Sequence, residues 1–154
     1  MPTRDLSQAA RDESVTRRYW SHVTRVDGST CWIWIGAISG RGHGRFWVRD
    51  GHVVIAHRFA WVLSHPDEEV PAVVRHGCDN PLCQNPAHLQ PGDATENRRD
   101  YFARRGVPGS PLNDVRGSRG RAAALRAAAR NSGRIEGAVA DGLSVLDRDQ
   151  PPLW

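Results

Sequence analysis

Three residues between positions 78 and 88 carry side chains that bind zinc, and their spacing is regular. Cys78, Cys83 and His88 are separated by four residues each. A structural zinc ion takes four thiolate or imidazole ligands in a tetrahedron, and the fourth ligand is most simply Cys31, the only other cysteine of the chain. This set predicts a structural zinc site that ties the start of an early strand to a distant loop.

The cysteines also allow a simpler interpretation. Without a metal they would be small buried hydrophobic residues, and His88 would pack beside them. A disulfide scaffold is disfavoured, because three is an odd number of cysteines and residues 1–16 are too polar for an export signal. We therefore expect a reducing compartment.

His76 is a candidate general base. It follows a short apolar run, has Arg75 beside it and precedes Cys78 by two residues. A neutral imidazole takes a proton from water near physiological pH, which general-base catalysis requires. For a histidine taken alone, a structural or surface role is the alternative.

Length and charge limit the class of protein. The chain has 154 residues, room for one domain with a modest core and a tail, and it lacks the roughly 20-residue apolar run that spans a bilayer. Its net charge is +4, but residues 98–134 contain ten Arg and two Asp, so that segment carries +8 and the remainder −4. A basic block of this kind is typical of phosphate binding, and DNA is the expected partner.

The first half of the chain predicts short strands. Residues 1–18 are polar and indicate a frayed or helical lead-in, and residues 31–36 (CWIWIG) indicate a strand. Residues 45–48 and 52–55 flank Asp50-Gly51, a pair suited to the left-handed positions of a tight hairpin turn.

The second half predicts the elements around the metal ligands. Residues 57–64 have the apolar spacing of a short helix, and residues 72–74 form a short apolar run that ends at Arg75 and His76. Residues 77–91 are rich in Pro, Asn and Cys without a helical period, so we expect an ordered loop held by something other than a hydrophobic core. Asp93 and Glu96 have the spacing of a capping box, which predicts a helix over residues 94–105 that ends at Gly106.

A basic tail follows. Residues 107–120 indicate a linker, and residues 121–130 (RAAALRAAAR) have strong helix propensity but little apolar surface for docking. A second short helix is expected within residues 135–146. The predicted organisation is a lead-in at 1–18, a domain at 19–106 and a tail at 107–154 that contacts phosphates rather than bases.

The segment from His76 to Asn97 resembles the HNH and His-Cys box nucleases, the ββα-metal group. The resemblance rests on H-G-C-D-N-P-L-C-Q-N-P-A-H-L followed by E-N, and the upstream C-W-I-W-I-G, G-H-G-R-F and A-H-R-F-A-W are similar to segments of phage-borne and homing HNH endonucleases. It covers about residues 20–106. It implies an α+β fold, a small zinc-stapled ββα-metal nuclease domain with antiparallel hairpin strands and here a basic helical tail.

The resemblance implies a role for each matching residue. His76 would be the general base that activates water, and Asn97 would bind the catalytic divalent metal, Mg²⁺ or another divalent cation. Asn85 matches the middle Asn of the motif, which organises the loop between the two strands. The structural zinc ligands of the His-Cys box type are matched by Cys31, Cys78, Cys83 and His88.

Some positions depart from the family pattern or allow a second assignment. Arg75 stands where many HNH nucleases have a metal-binding Asp, and His43 stands where many relatives have Tyr. The third letter of the motif can also be assigned to His88, but Asn97 is preferred for the catalytic metal because the zinc site needs His88.

Arginines are the candidates for phosphate contacts, because a guanidinium binds phosphate oxygens in bidentate fashion. Arg58 and Arg99 are candidates for a clamp on the scissile phosphate, Arg45 is a weaker one, and a solvated surface charge is the alternative for each. Tyr101 shares a helix face with Asn97 and could contact DNA, although an aromatic residue there is more often part of a core. The arginines predicted to contact DNA are Arg45, Arg98, Arg99, Arg104, Arg105 and Arg121.

These features predict a metal-dependent DNA endonuclease that leaves 5′-phosphate and 3′-hydroxyl ends. The alternative from another class is a catalytically silent, zinc-containing DNA-binding module, which needs the zinc ligands but neither His76 nor Asn97. An RNA-directed or colicin-like toxin nuclease ranks lowest, because no immunity-binding or translocation segment is visible. A bacterial or phage-encoded protein of the cytoplasm is expected, and a homodimer is left open.

Overall fold

The computed structural model describes residues 3–148. Residues 1–2 of the predicted lead-in and 149–154 of the predicted tail lie outside the described residues. The described helices are α1 (Thr3–Ala10), α2 (Glu13–Trp20), α3 (Ala56–Ser64), α4 (Ala94–Arg105), α5 (Gly117–Asn131), α6 (Glu136–Ala140) and α7 (Val145–Arg148). The strands are β1 (Val23–Arg25), β2 (Trp32–Trp34), β3 (Arg45–Arg49), β4 (His52–Ile55), β5 (Val73–His76) and β6 (Leu89–Gly92). Within residues 3–148, no helix is both long and apolar enough to cross a membrane.

The unit that carries His76 is an antiparallel hairpin followed by a helix. Strand β5 pairs with β6 so that His76 lies opposite Leu89, and α4 follows directly. The Asp93 carboxylate accepts hydrogen bonds from the first turn of α4 while the Glu96 carboxylate accepts one from the Asp93 N–H. The predicted capping box and the helix over residues 94–105 are confirmed, and the ββα arrangement is present.

A second hairpin precedes this unit in the chain. Strands β3 and β4 are antiparallel, and the turn between them has Asp50 at φ 42° and Gly51 at φ 76°. Both residues therefore occupy the left-handed region that the Asp-Gly pair predicted. Alternate residues of β3, Phe46 and Val48, point into the core.

Aromatic side chains form the centre of the core. Tyr19 contacts the rings of Trp34, Phe46 and Phe59, with centroids 5.1 to 5.5 Å apart. All four side chains are buried. The lead-in is thus helical in its described part, and α2 supplies a central core residue.

The tail helix α5 is docked, and the expectation that it has little surface to dock is wrong. Leu125 is completely buried, and Ala122 and Ala129 are buried beside it. Small side chains allow this close packing. A Cβ on Gly42 would lie 2.9 Å from the Ala122 Cβ and 2.7 Å from the Ser118 carbonyl oxygen, so a larger residue at position 42 would clash with α5. A single apolar stripe is therefore enough to dock α5, because the helix approaches the loop that contains Gly42 so closely.

Arginines on α5 also bind backbone carbonyls of that loop. Arg126 donates to the carbonyl of Gly36, and Arg119 donates to that of Ser39. The core therefore draws on residues from all three predicted segments, while the boundaries at 18 and 106 stay predictions.

Candidate metal centre and active-site cleft

Four ligand atoms from three parts of the chain converge on one point. The side chains of Cys31, Cys78, Cys83 and His88 offer ligand atoms that all lie within 4.8 Å of one another. Cys31 directly precedes β2, the other two cysteines lie on the loop after β5, and His88 ends a short 3-10 turn before β6. The structure brings the four predicted ligands together, and a Cys₃His set at this separation fits a tetrahedral zinc ion.

The His88 ring is oriented for metal binding through Nδ1. That nitrogen lies 3.4 Å from the Cys83 sulfur and 3.7 Å from the Cys31 sulfur. The other ring nitrogen, Nε2, lies 3.2 Å from the Thr30 hydroxyl. A second partner of this kind holds a ligand ring in place and selects its tautomer.

The ligand loop is also held by the core and by its own polar caps. Leu82 is completely buried in the hydrophobic core, so the expectation that the loop is held by something other than a core is wrong in part. A leucine among prolines and cysteines gave no periodic signal. Asn85 donates to the Thr30 carbonyl and accepts from the Ala87 N–H, which ties the loop to the turn before Cys31.

The three thiols influence one another's protonation. The pKa of Cys31 is lowered because the Cys78 and Cys83 side chains hydrogen-bond to its sulfur. The same contacts with Cys31 raise the pKa of Cys78 to about 11 and also raise the pKa of Cys83. Because zinc binds thiolates, binding must release the protons of these two thiols.

The Cys83 backbone orients the imidazole of His76. His76 Nε2 lies 2.9 Å from the Cys83 carbonyl oxygen, so Nε2–H donates and Nδ1 is the unprotonated nitrogen. Burial lowers the pKa of His76 to about 4, which keeps the ring neutral at pH 7. The ring thus presents one nitrogen that can accept a proton, and it lines a surface cleft.

Two further histidines pack around His76, and neither their type nor their spacing in the chain predicted a role for them. The His57 ring centroid lies 4.3 Å from that of His76, and the His43 centroid lies 6.5 Å from it. His57 Nε2–H donates to the Val74 carbonyl, whereas its buried Nδ1 has no partner in the described part of the chain. The A-H-R-F-A-W resemblance was the one signal that could have pointed to His57.

Ion pairs attach helix α4 to β5 and to the loop that follows β5. Arg75 pairs with Asp100 at 2.5 Å, and Arg104 pairs with Asp79 at 2.7 Å. Arg104 also donates to the His76 carbonyl. Arg75, which replaces the family's metal-binding Asp, therefore serves to anchor the helix that carries Asn97.

His76 and Asn97 line the same cleft, which has a volume of about 790 Å³. Five arginines and two aspartates line it, namely Arg41, Arg75, Arg98, Arg104, Arg121, Asp79 and Asp100. Both aspartates pair with Arg75 or Arg104, so the lining keeps a formal charge of +3. Such a cleft attracts a polyanion.

The predicted phosphate-binding arginines are divided by the structure. Arg98, Arg104 and Arg121 line the cleft, although Arg104 is committed to Asp79. Arg58 does not line the cleft and donates to the carbonyls of Pro71 and Ala72. Three of the predicted arginines are exposed and also lie outside the cleft lining, namely Arg45, Arg99 and Arg105.

A family model matches part of the chain. Residues 54–99 match the family model described as HNH endonuclease, which confirms the resemblance over that segment. The matched segment holds His76, Asn85 and Asn97, but Cys31 and the cleft residues on α5 lie outside it.

Two proteins of Escherichia phage T7 are similar to the chain. Protein 2.8 is 40% identical over 92 residues, which is 58% of this chain and 63% of that protein. Protein 7.7 is 37% identical over 74 residues, which is 48% of this chain and 56% of that protein. The chain thus matches less than two thirds of the length of each relative. No solved structure matches the chain.

Loss of one metal ligand is expected to unfold the domain. His88→Ala or Cys78→Ser should remove the bound zinc and the cooperative unfolding transition, because a structural zinc site supplies folding free energy, on the order of 10 kcal/mol. Zinc content and circular dichroism measure both effects, with His52→Ala on the exposed hairpin as the control. A ligand variant that keeps its fold in the presence of a chelator would contradict the assignment.

The buried His57 should make stability depend on pH. Burial, and the neighbouring His76 and His43 with Arg58, lower the pKa of His57, so below about pH 6.5 the unfolded chain binds a proton that the native ring does not. The free energy of unfolding should therefore fall as the pH drops below 6.5, by up to about 1.4 kcal/mol per pH unit from this group. Urea unfolding from pH 7.5 to 5 should give a shallower fall for His57→Gln, which keeps a donor for Val74. Equal slopes in the two proteins would contradict the prediction.

Proposed function

We propose that the protein is a metal-dependent DNA endonuclease with His76 as its general base. The observation that carries the proposal is the hydrogen bond from His76 Nε2–H to the Cys83 carbonyl. It leaves Nδ1 free to accept a proton in the cleft that Asn97 also lines. The match to a family described as endonucleases supports the same activity.

His76 would begin the reaction by taking a proton from a water molecule aligned with the scissile phosphate. Nδ1 is the accepting atom, and the Cys83 carbonyl holds the ring as positive charge develops on it. The water oxygen attacks phosphorus, the bond to the 3′-oxygen breaks, and the 3′-oxygen takes a proton from solvent water. The products are a 5′-phosphate and a 3′-hydroxyl.

Asn97 suits the role of ligand for the catalytic divalent metal that the resemblance implies. Its side chain is exposed on α4, makes no hydrogen bond within residues 3–148, and lines the cleft with an amide whose oxygen can bind a metal. Mg²⁺ is commonly held by one or two protein oxygens, with substrate phosphate and water completing its shell. When bound, such a cation stabilises charge on the phosphate and on the leaving oxygen.

The cleft would hold the DNA backbone through arginines whose charge no carboxylate fully neutralises. Arg98 is exposed on α4, and Arg121 reaches the cleft from α5 with one buried guanidinium nitrogen that has no partner among the described residues. Its nearest carboxylate, Asp114, lies 3.8 Å away and already pairs with Arg116. A phosphate oxygen would neutralise this excess charge.

His76→Ala should reduce cleavage of plasmid DNA in Mg²⁺ by about 10²- to 10⁴-fold, the usual contribution of a general base. Asn97→Ala should also lose cleavage, and both variants should keep their zinc and their DNA affinity. His52→Ala and Asn131→Ala, at exposed positions outside the cleft, are the matched controls.

Two results would contradict this proposal in different ways. Cleavage by His76→Ala at the wild-type rate would remove the general-base assignment. DNA binding without cleavage by the wild-type protein, in any divalent cation tested, would favour the silent DNA-binding module instead.

A further inference from the structure

Two aromatic side chains stand uncovered beside the proposed reaction centre. Tyr101 and Phe102 are neighbours on α4, with 40% and 64% of their surface exposed. Their rings meet edge to face with centroids 5.5 Å apart. Both line the cleft with His76 and Asn97.

These aromatics do not belong to the hydrophobic core. No residue of α4 is buried, and the helix is attached through Arg75–Asp100 and Arg104–Asp79. The interpretation of Tyr101 as a core residue is therefore wrong. An exposed aromatic pair that lies outside the hydrophobic core indicates a surface for a ligand.

The positive charges around the aromatic pair indicate the class of ligand that it binds. Arg98 lies in the same cleft, and the Arg105 guanidinium lies 5.8 Å from the Tyr101 ring centroid. Aromatic rings interspersed with cations bind nucleic acid, because bases stack on the rings while the cations follow the phosphates. An apolar protein partner would not require the positive charge of this cleft.

We propose that Phe102, with the edge-on Tyr101 ring beside it, stacks on a nucleobase next to the scissile phosphate, an inference that rests on the proposed function. A base inside a regular duplex is stacked on both sides, so the ring of Phe102 can reach its face only after the local base step opens. The preferred substrate is therefore DNA that is unstacked or easily unstacked at the cleavage position, such as a mismatch or a flexible step. Both residues lie beyond the segment that matches the family model.

Binding of synthetic DNA tests the stacking without any need for cleavage. Fluorescence anisotropy in EDTA-free buffer lacking Mg²⁺ would compare a matched duplex with the same duplex carrying a two-base mismatch. Wild type should bind the mismatched duplex more tightly. Phe102→Ala should weaken binding to the mismatched duplex by about 5- to 100-fold, the range for loss of one stacked base, and should lose the preference.

Three further variants separate stacking from other roles of Phe102. Phe102→Trp keeps an aromatic face and should bind like wild type, whereas Phe102→Leu keeps apolar volume without that face and should bind like Phe102→Ala. Val115→Ala, at a residue 63% exposed and outside the cleft lining, should change nothing. All four variants are expected to fold, since Phe102 and Val115 are both mostly exposed.

Several results would overturn the inference. It fails if Phe102→Ala matches Val115→Ala, if Phe102→Leu binds like wild type, or if Phe102→Ala changes only the oligomeric state in sedimentation. Absence of cleavage with the mismatch preference intact would refute the proposed nuclease while supporting the stacking. Cleavage by wild type and Phe102→Ala at equal rates on both duplexes, with equal binding, would refute the stacking alone.

Discussion

Convergence of three sulfurs and one imidazole nitrogen is the constraint on which the site depends. These ligand atoms join the start of β2, the loop after β5 and the turn before β6. The backbone of Cys83 then supplies the carbonyl that orients His76. A metal bound there would fix the position of Cys83. Through the hydrogen bond to the Cys83 carbonyl, it would also fix His76, the proton acceptor of the proposed reaction. Cys83 therefore links the metal site to the proposed catalytic role of His76.

The other half of the site is held by different forces. Helix α4 has no buried residue and is attached by ion pairs that partly exclude water, since the Arg75 and Asp100 side chains are 14% and 25% exposed. Arg104 contacts both Asp79 and the His76 carbonyl, so the helix position is coupled to β5. This arrangement frees the aromatic and amide side chains of α4 for a ligand in the cleft.

Local chemistry explains how much of this could be predicted. The zinc ligands, the Asp50-Gly51 turn and the capping box before α4 depend on residue type and short spacing, and the structure agrees with each. The docking of α5, the burial of Leu82 and the edge-to-face contact of His57 with His76 depend on tertiary contacts between distant segments. Alanine-rich composition gave no sign that Gly42 would let α5 approach so closely.

X-ray absorption at the zinc edge of the purified protein tests the central claim most directly. The account predicts one zinc per chain with a first shell of three sulfurs at about 2.3 Å and one nitrogen at about 2.0 Å. A shell with fewer than three sulfurs, or one made of oxygen and nitrogen alone, would contradict it.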